Sequence, residues 1–296
     1  MKRTYHFIIL VTTIIIVNGC ASIGHMAKLS EEADQAFKAG DYERALTVYQ
    51  ELIDAERSQD RSVEGIFYQR AGIAAYETGN TDRAIEYMEY ARHTDAADAN
   101  TFSILAKSYR EIDNLSREIT NLERYVEMFP DGEAFDDMQR RLFQTLVESL
   151  NWQQAYDLWP LLAGNPYQDE DLLASYVKVN QALDKEDKAA EMAEKVLDLN
   201  IYNKIALDLL GRRHFHEAVN RYNREMQAYE ANRTHRQYAQ LLEALEVINT
   251  DLRIALNYFM RLYEQDPRPE YAGFLANIYE RFQDEERARY YRRRAE

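Results

Sequence analysis

The chain is poor in the residues that staple or interrupt a fold. A single cysteine in 296 residues, Cys20, excludes an intramolecular disulfide. Five prolines and ten glycines leave few sites for tight turns and favour long helices joined by short connections. Net positive charge is also missing. Lys and Arg number 36 against 51 Asp and Glu, for a formal charge of −15. A surface of that sign repels phosphate, which argues against a nucleic-acid partner. The sequence has no Gly-rich phosphate loop and no serine elbow. Its one close histidine cluster, His214-Phe215-His216-Glu217, places the two imidazoles at i and i+2, on different helix faces rather than at the i, i+4 spacing of a zinc helix. Carboxylate pairs such as Asp136-Asp137 and Glu285-Glu286 are expected by chance among so many acids. The composition therefore predicts a chain with no catalytic centre, cofactor or metal ion.

Long apolar runs are confined to one place. Lys2 and Arg3 precede the run Phe7 to Val17, and Val17-Asn18-Gly19-Cys20 follows. Eleven residues rise about 16 Å as a helix, short of the ~30 Å of hydrocarbon a membrane span must cross. The length suits the apolar region of a signal peptide. A branched residue at Val17, a small one at Gly19 and then cysteine resemble the lipobox of bacterial lipoproteins. That resemblance implies cleavage before Cys20, diacylglycerol on its thiol and an acylated amino group, which gives the lone cysteine a role. Each buried acyl methylene contributes ~0.8 kcal/mol, so two or three chains hold a protein on a bilayer. Removing Lys2 and Arg3 leaves 34 cations against 51 carboxylates, a formal charge of −17 for the expected mature form. By the same resemblance, Ala21 in place of an aspartate after the cysteine favours the outer membrane, facing the periplasm.

The rest of the chain repeats. Ala36-Phe37-Lys38-Ala39-Gly40-Asp41-Tyr42-Glu43-Arg44-Ala45 resembles the helix–turn–helix junction of a tetratricopeptide (TPR) repeat, a family with a period of about 34 residues. In that family small residues at positions 8 and 20 let two antiparallel helices cross closely, while bulky ones at 4, 7, 11 and 24 fill the space around the crossing. Units beginning at Met26, Gly65, Ala99, Asp136 and Glu170 fit the pattern. The second is the closest, with Tyr68, Ala71, Gly72, Ala75, Gly79 and Ala84, whereas Glu118 replaces the small residue at position 20 of the third. Pro160 to Asp169 reads as a loop. A sixth unit starts with Leu207, Leu210 and Gly211 but lacks its turn near residue 218, so one long helix is expected near 204–231. A seventh unit from Arg236 and an eighth from Pro269 complete the count.

The expected fold is an all-α solenoid of about eight TPR-like helix pairs, a right-handed superhelix by resemblance, irregular at repeat six. Its organisation would be a lipoprotein signal peptide (1–19), a lipidated cysteine and tether (20–25), an N-terminal TPR block (26–164) and a C-terminal block (165–296). The chain is similar to uncharacterised Bacteroidota-type TPR lipoproteins, notably at Tyr222-Asn223-Arg224-Glu225-Met226 and Asn232-Arg233-Thr234.

In this family, positions 5, 9 and 12 of each first helix line the concave groove. Repeats three to six place Lys107, Arg110, Arg140, Lys178 and Arg212 there against one carboxylate, Asp208, and repeat two places Gln69, Ile73 and Tyr76. A basic ladder in an acidic protein would draw a carboxylate-bearing segment, unless neighbours such as Glu111, Glu148 and Asp171 neutralise it, since adding positions 2 and 13 brings the count to parity. The expected role is that of a membrane-anchored scaffold holding a protein or peptide of a membrane complex. A glycan- or nutrient-binding lipoprotein serving an outer-membrane transporter is the alternative, weakened because no insertion is longer than the loop at 160–169.

Overall fold

The computed structural model describes residues 25–296. The signal-peptide segment, Cys20 and residues 21–24 of the expected tether lie outside them. Among the described residues there are fourteen helices and no strand. None of these helices is long and apolar enough to cross a membrane.

Two compact units divide at Ser149 and Leu150, ahead of the boundary expected at 164. The first contains α1 (25–38), α2 (Tyr42–Ser58), α3 (Gly65–Glu77), α4 (Thr81–Ala91), α5 (Ala99–Glu111), α6 (Leu115–Met128) and α7 (Phe135–Glu148). Successive helices pack on one another, and the first helices α3 and α5 also touch directly. The second unit contains α8 (Trp152–Leu158), α9 (Glu170–Ala182), α10 (Glu186–Leu199), α11 (Lys204–Ala231), α12 (His235–Gln265), α13 (Pro269–Arg281) and α14 (Glu285–Ala295). Two short 3-10 turns, Trp159–Leu161 and Pro166–Gln168, occupy the expected loop. They carry Trp159 onto Tyr176 of α9, with ring centroids 4.1 Å apart and nearly parallel planes. That stack, together with the packing of α8 on α9, draws the fourth unit's second helix into the second unit.

One backbone device recurs at the end of the first helices. Gly40, Gly79, Asp113, Asp184 and Gln283 all adopt positive φ, between 54° and 75°. At Gly79, the Asn80 amide donates to the Ala75 carbonyl (2.8 Å) and the Gly79 amide to Tyr76 (3.0 Å). The other four repeat this pair of bonds, which is the Schellman closure of a helix C-terminus. The next residue then caps the following helix. Asp41, Asn80, Asn114 and Asp284 accept from the backbone amides of Arg44, Arg83, Arg117 and Arg287. Gly79 to Asp113, and Leu150 (φ 61°) to Asp184, are each 34 residues apart, so the turn carries the repeat period.

Where the helices cross, the small positions are sealed. Ala33, Ala45, Ala84, Ala155 and Ala189 are completely buried. A Cβ on Gly72 would come within 2.8 Å of Met88, which shows how closely α3 and α4 approach. Around these crossings Tyr49, Leu52, Ile53, Met88, Leu105, Leu122 and Phe143 fill the first core, and Leu172, Leu173, Met192, Leu207 and Phe259 the second.

The departure from the repeat is larger than the sequence suggests. α11 continues through residue 218 without a turn, and α12 is also unbroken, so the seventh unit is no helix pair of its own. Ile248, Leu252, Ala255, Phe259 and Leu262 form one continuous buried stripe on α12, and a turn near Asn249 would tear it. Units six and seven have thus become a single long hairpin.

Candidate functional site

The first-helix positions singled out in the sequence fall in both units, and each unit is described by itself. In the first, α3, α5 and α7 present Tyr76, Lys107, Arg110 and Glu148 in a row. The Lys107 ammonium lies 6.0 Å from the centre of the half-buried Tyr76 ring. One turn further along α5, Arg110 forms an ion pair with Glu148 of α7. Its guanidinium is also 3.7 Å from Glu118 of α6.

Glu118 organises the middle of this row. At position 20, where the repeat calls for a small residue, its carboxylate is 1% exposed. Arg141 Nε donates to it at 2.6 Å and the Thr145 hydroxyl at 3.1 Å. Arg141 also reaches Glu148 at 3.0 Å. Burial pushes the Glu118 carboxyl above its ordinary value, with Thr145 and Arg110 pulling it back and Glu148 adding to the rise. Burial likewise raises the Tyr76 hydroxyl, with help from Glu111 and Glu77.

The row is therefore mixed in charge. Lys107, Arg110 and Arg141 are accompanied by Glu111, Glu118 and Glu148, and the basic stripe suggested by positions 5, 9 and 12 alone is matched acid for base. Gln69 does not reach this surface. It is 7% exposed, and its amide donates to the Ala96 carbonyl at 2.8 Å, holding the loop before α5. Arg140 is half-buried on α7 beside Arg141.

The second unit shows the same neutralisation. Lys178 is exposed on α9. Arg212 on α11 bonds to Asp208 at 2.9 Å and to Glu270 of α13 at 2.6 Å, and stacks 5.1 Å from the centre of Phe274. Burial opposes the charge on Arg212, but these carboxylates outweigh it and hold its pKa above the ordinary value. His214 and His216 part company as the i, i+2 spacing predicts: His214 Nδ1 faces Asp251 at 3.1 Å, while His216 leans on Phe215 and Phe274. Among the described residues, no three His, Cys, Asp or Glu side chains converge as metal ligands would.

Sequence reasoning missed Arg141 and Glu270. Each acts through a partner on another helix, 23 and 58 residues away. Glu148 was legible as a neutralising neighbour, and Glu118 as an oversized residue at a small position.

The helix pairing, the sealed small positions and the 34-residue turn register define an all-α solenoid of the tetratricopeptide type. No protein-family model matches the chain, and a comparison with curated proteins finds no match. Solved structures do share the fold. The C-terminal part of a TPR repeat-containing protein from Cytophaga hutchinsonii matches with a TM-score of 0.50 and 17% identity, covering 90% of this chain and 93% of its own. A Bacteroides ovatus protein, provisionally assigned as protein-binding, matches with a TM-score of 0.52 and 19% identity, covering 75% of this chain and 99% of its own.

Proposed function

We propose that the chain is a non-catalytic scaffold, anchored by lipid at Cys20 to the outer membrane on its periplasmic side, that holds a protein segment on the first-helix face of its N-terminal unit. The observation that supports this reading is the row Tyr76, Lys107, Arg110 and Glu148 across three successive first helices. Repeat solenoids expose such a face because stacking buries the other surfaces of each helix pair. The alternating charges and the aromatic ring suit an extended segment of mixed charge better than a purely acidic one. Ion pairs already formed within the face reduce the gain from any single new pair, so shape and several contacts together carry the affinity.

A photo-crosslinking amino acid at Tyr76 or Lys107, in intact envelope membranes, tests the face. Mass spectrometry should identify the same protein from both positions, with none captured from the outward Glu123 on α6. Equal capture from Glu123, or recovery of a sugar ligand with no protein, overturns the reading. Incorporation of a palmitate analogue, lost in Cys20→Ser, tests the anchor separately.

A further inference from the structure

The missing turn of unit six leaves a cleft at the foot of the α11–α12 hairpin. A standard first helix would end near residue 218, whereas α11 runs on to Ala231. Asn220 thereby joins the wall of a cleft that Gln181 of α9 and Glu186 of α10 close from the other side. Its volume is about 400 Å³, within the range of ligand sites. Leu209, Arg212, Arg213, His216 and Asn220 follow at i, i+3, i+4, i+7 and i+11, so one face of α11 forms the long wall. From Leu209 to Asn220 that wall runs about 16 Å.

The charged groups of this wall are already engaged. Arg213 bonds to Asp187 of α10 and to Glu217, each at 2.9 Å. Arg212 is held by Asp208 and Glu270. Carboxylates outnumber cations here, so an anionic ligand is repelled. Glu186 opens α10, where the helix N-terminus accommodates its charge. The remaining hydrogen-bonding capacity is neutral. Among the described residues, the side chains of Gln181, His216 and Asn220 are exposed and make no hydrogen bond. The His216 ring meets Phe215 and Phe274 edge to face, which leaves its nitrogens unbonded. Leu209 and the fully buried Ala189 make the floor apolar. No Phe, Tyr or Trp among the described residues lines the cleft to stack on a sugar ring.

We infer that this cleft binds an extended, uncharged peptide segment by its main chain. A primary amide carries an N–H donor and a C=O acceptor side by side, the pair that an extended main chain offers along each edge. Gln181 and Asn220 supply such amides from facing walls. His216 stands one turn before Asn220, about 6 Å away along the helix, close to the ~6.6 Å between alternate residues of a strand. Both therefore reach the same edge of the segment, and a small apolar side chain between them covers Leu209 and Ala189. The wall is long enough for about five residues. With few polar contacts on an open surface, a short segment binds with a Kd of about millimolar. The cleft lies within the C-terminal unit and selects against charge, so it does not rest on the face proposed for the N-terminal unit.

The test titrates acetyl-tetra-alanine amide, to about 20 mM, into the full isotope-labelled chain in mild detergent and follows the backbone amides of Arg213 and His216 by NMR. Both should shift saturably, while the amide of Gln153 on α8 stays in place. Gln181→Ala with Asn220→Ala should weaken binding at least about tenfold with the circular dichroism unchanged, since both side chains are exposed. No saturable shift, or a double variant that binds within about twofold of the wild type, overturns the inference. So does a tetra-glutamate peptide or a cellulose tetrasaccharide that shifts the same amides at lower concentration.

Discussion

Exchanging residues between equivalent turns tests the repeat register at its backbone. Gln283 holds φ at 60° in the turn between α13 and α14, and its side chain is exposed. An L residue other than Asn or Asp gives up about 1–2 kcal/mol in this left-handed region. Glycine removes that strain but adds about 0.5–1 kcal/mol of unfolded-state freedom. Gln283→Gly should therefore stabilise the chain by about 0.5–1 kcal/mol, the difference of the two effects. Gln283→Ala keeps the strain and should leave stability nearly unchanged. The reverse exchange is Gly79→Ala, at φ 73°. A Cβ there meets nothing within 4 Å, so its whole effect is conformational. It should destabilise by about 0.5–1 kcal/mol. Urea unfolding followed by far-UV circular dichroism reads both, provided the denaturant slope is unchanged. A neutral or destabilising Gln283→Gly, with an unaffected Gly79→Ala, would refute the shared turn geometry.

Two further substitutions probe packing and buried charge. A carboxyl held above its ordinary value is most favourable to the fold below its unfolded pKa, and loses that contribution as pH rises through its folded pKa. Glu118→Gln should therefore flatten the fall in stability between weakly acidic and neutral pH, as read by urea unfolding across that range; a steeper fall would contradict the assigned direction. Phe259 is fully buried and stacks on Phe274 with centroids 4.4 Å apart. Phe259→Ala should cost about 3–5 kcal/mol, and a thermal-unfolding loss under about 1 kcal/mol would show that α12 and α13 are not packed this way.

What the sequence could reveal depended on how local the determinant was. Helix starts at Gly65, Ala99, Glu170 and Pro269 were legible because small crossing residues and Gly-Asp or Gly-Asn turns lie within one repeat. The all-α solenoid followed from many such positions agreeing. The missing turn of unit six was equally local and could be seen. Unit seven misled because Ala255, Phe259 and Leu262 satisfy the spacing of a second helix and of a continuous stripe alike. The candidate face was legible only as a set of positions. Its charge parity could be counted from neighbours such as Glu111 and Glu148, but the pairings themselves, Arg110 with Glu148 and Arg212 with Glu270, exist only once separate helices are stacked.

The fused hairpin also sets an order of events in folding. Within an ordinary helix pair such as α3–α4, packing joins residues separated by a few turns of chain. At the base of α11 and α12, Gln265 donates to the Tyr202 carbonyl and Arg261 to that of Ile201, across 63 and 60 residues. Doubling a loop adds only about 0.6 kcal/mol of closure entropy, so the barrier is modest, yet it falls on one element. Zippering must start at the Asn232 turn, where fewest apolar groups reward it, and reach Phe259 before the core offsets the cost. The base of this hairpin should therefore be a late-forming contact, with the standard pairs on either side of it already closed.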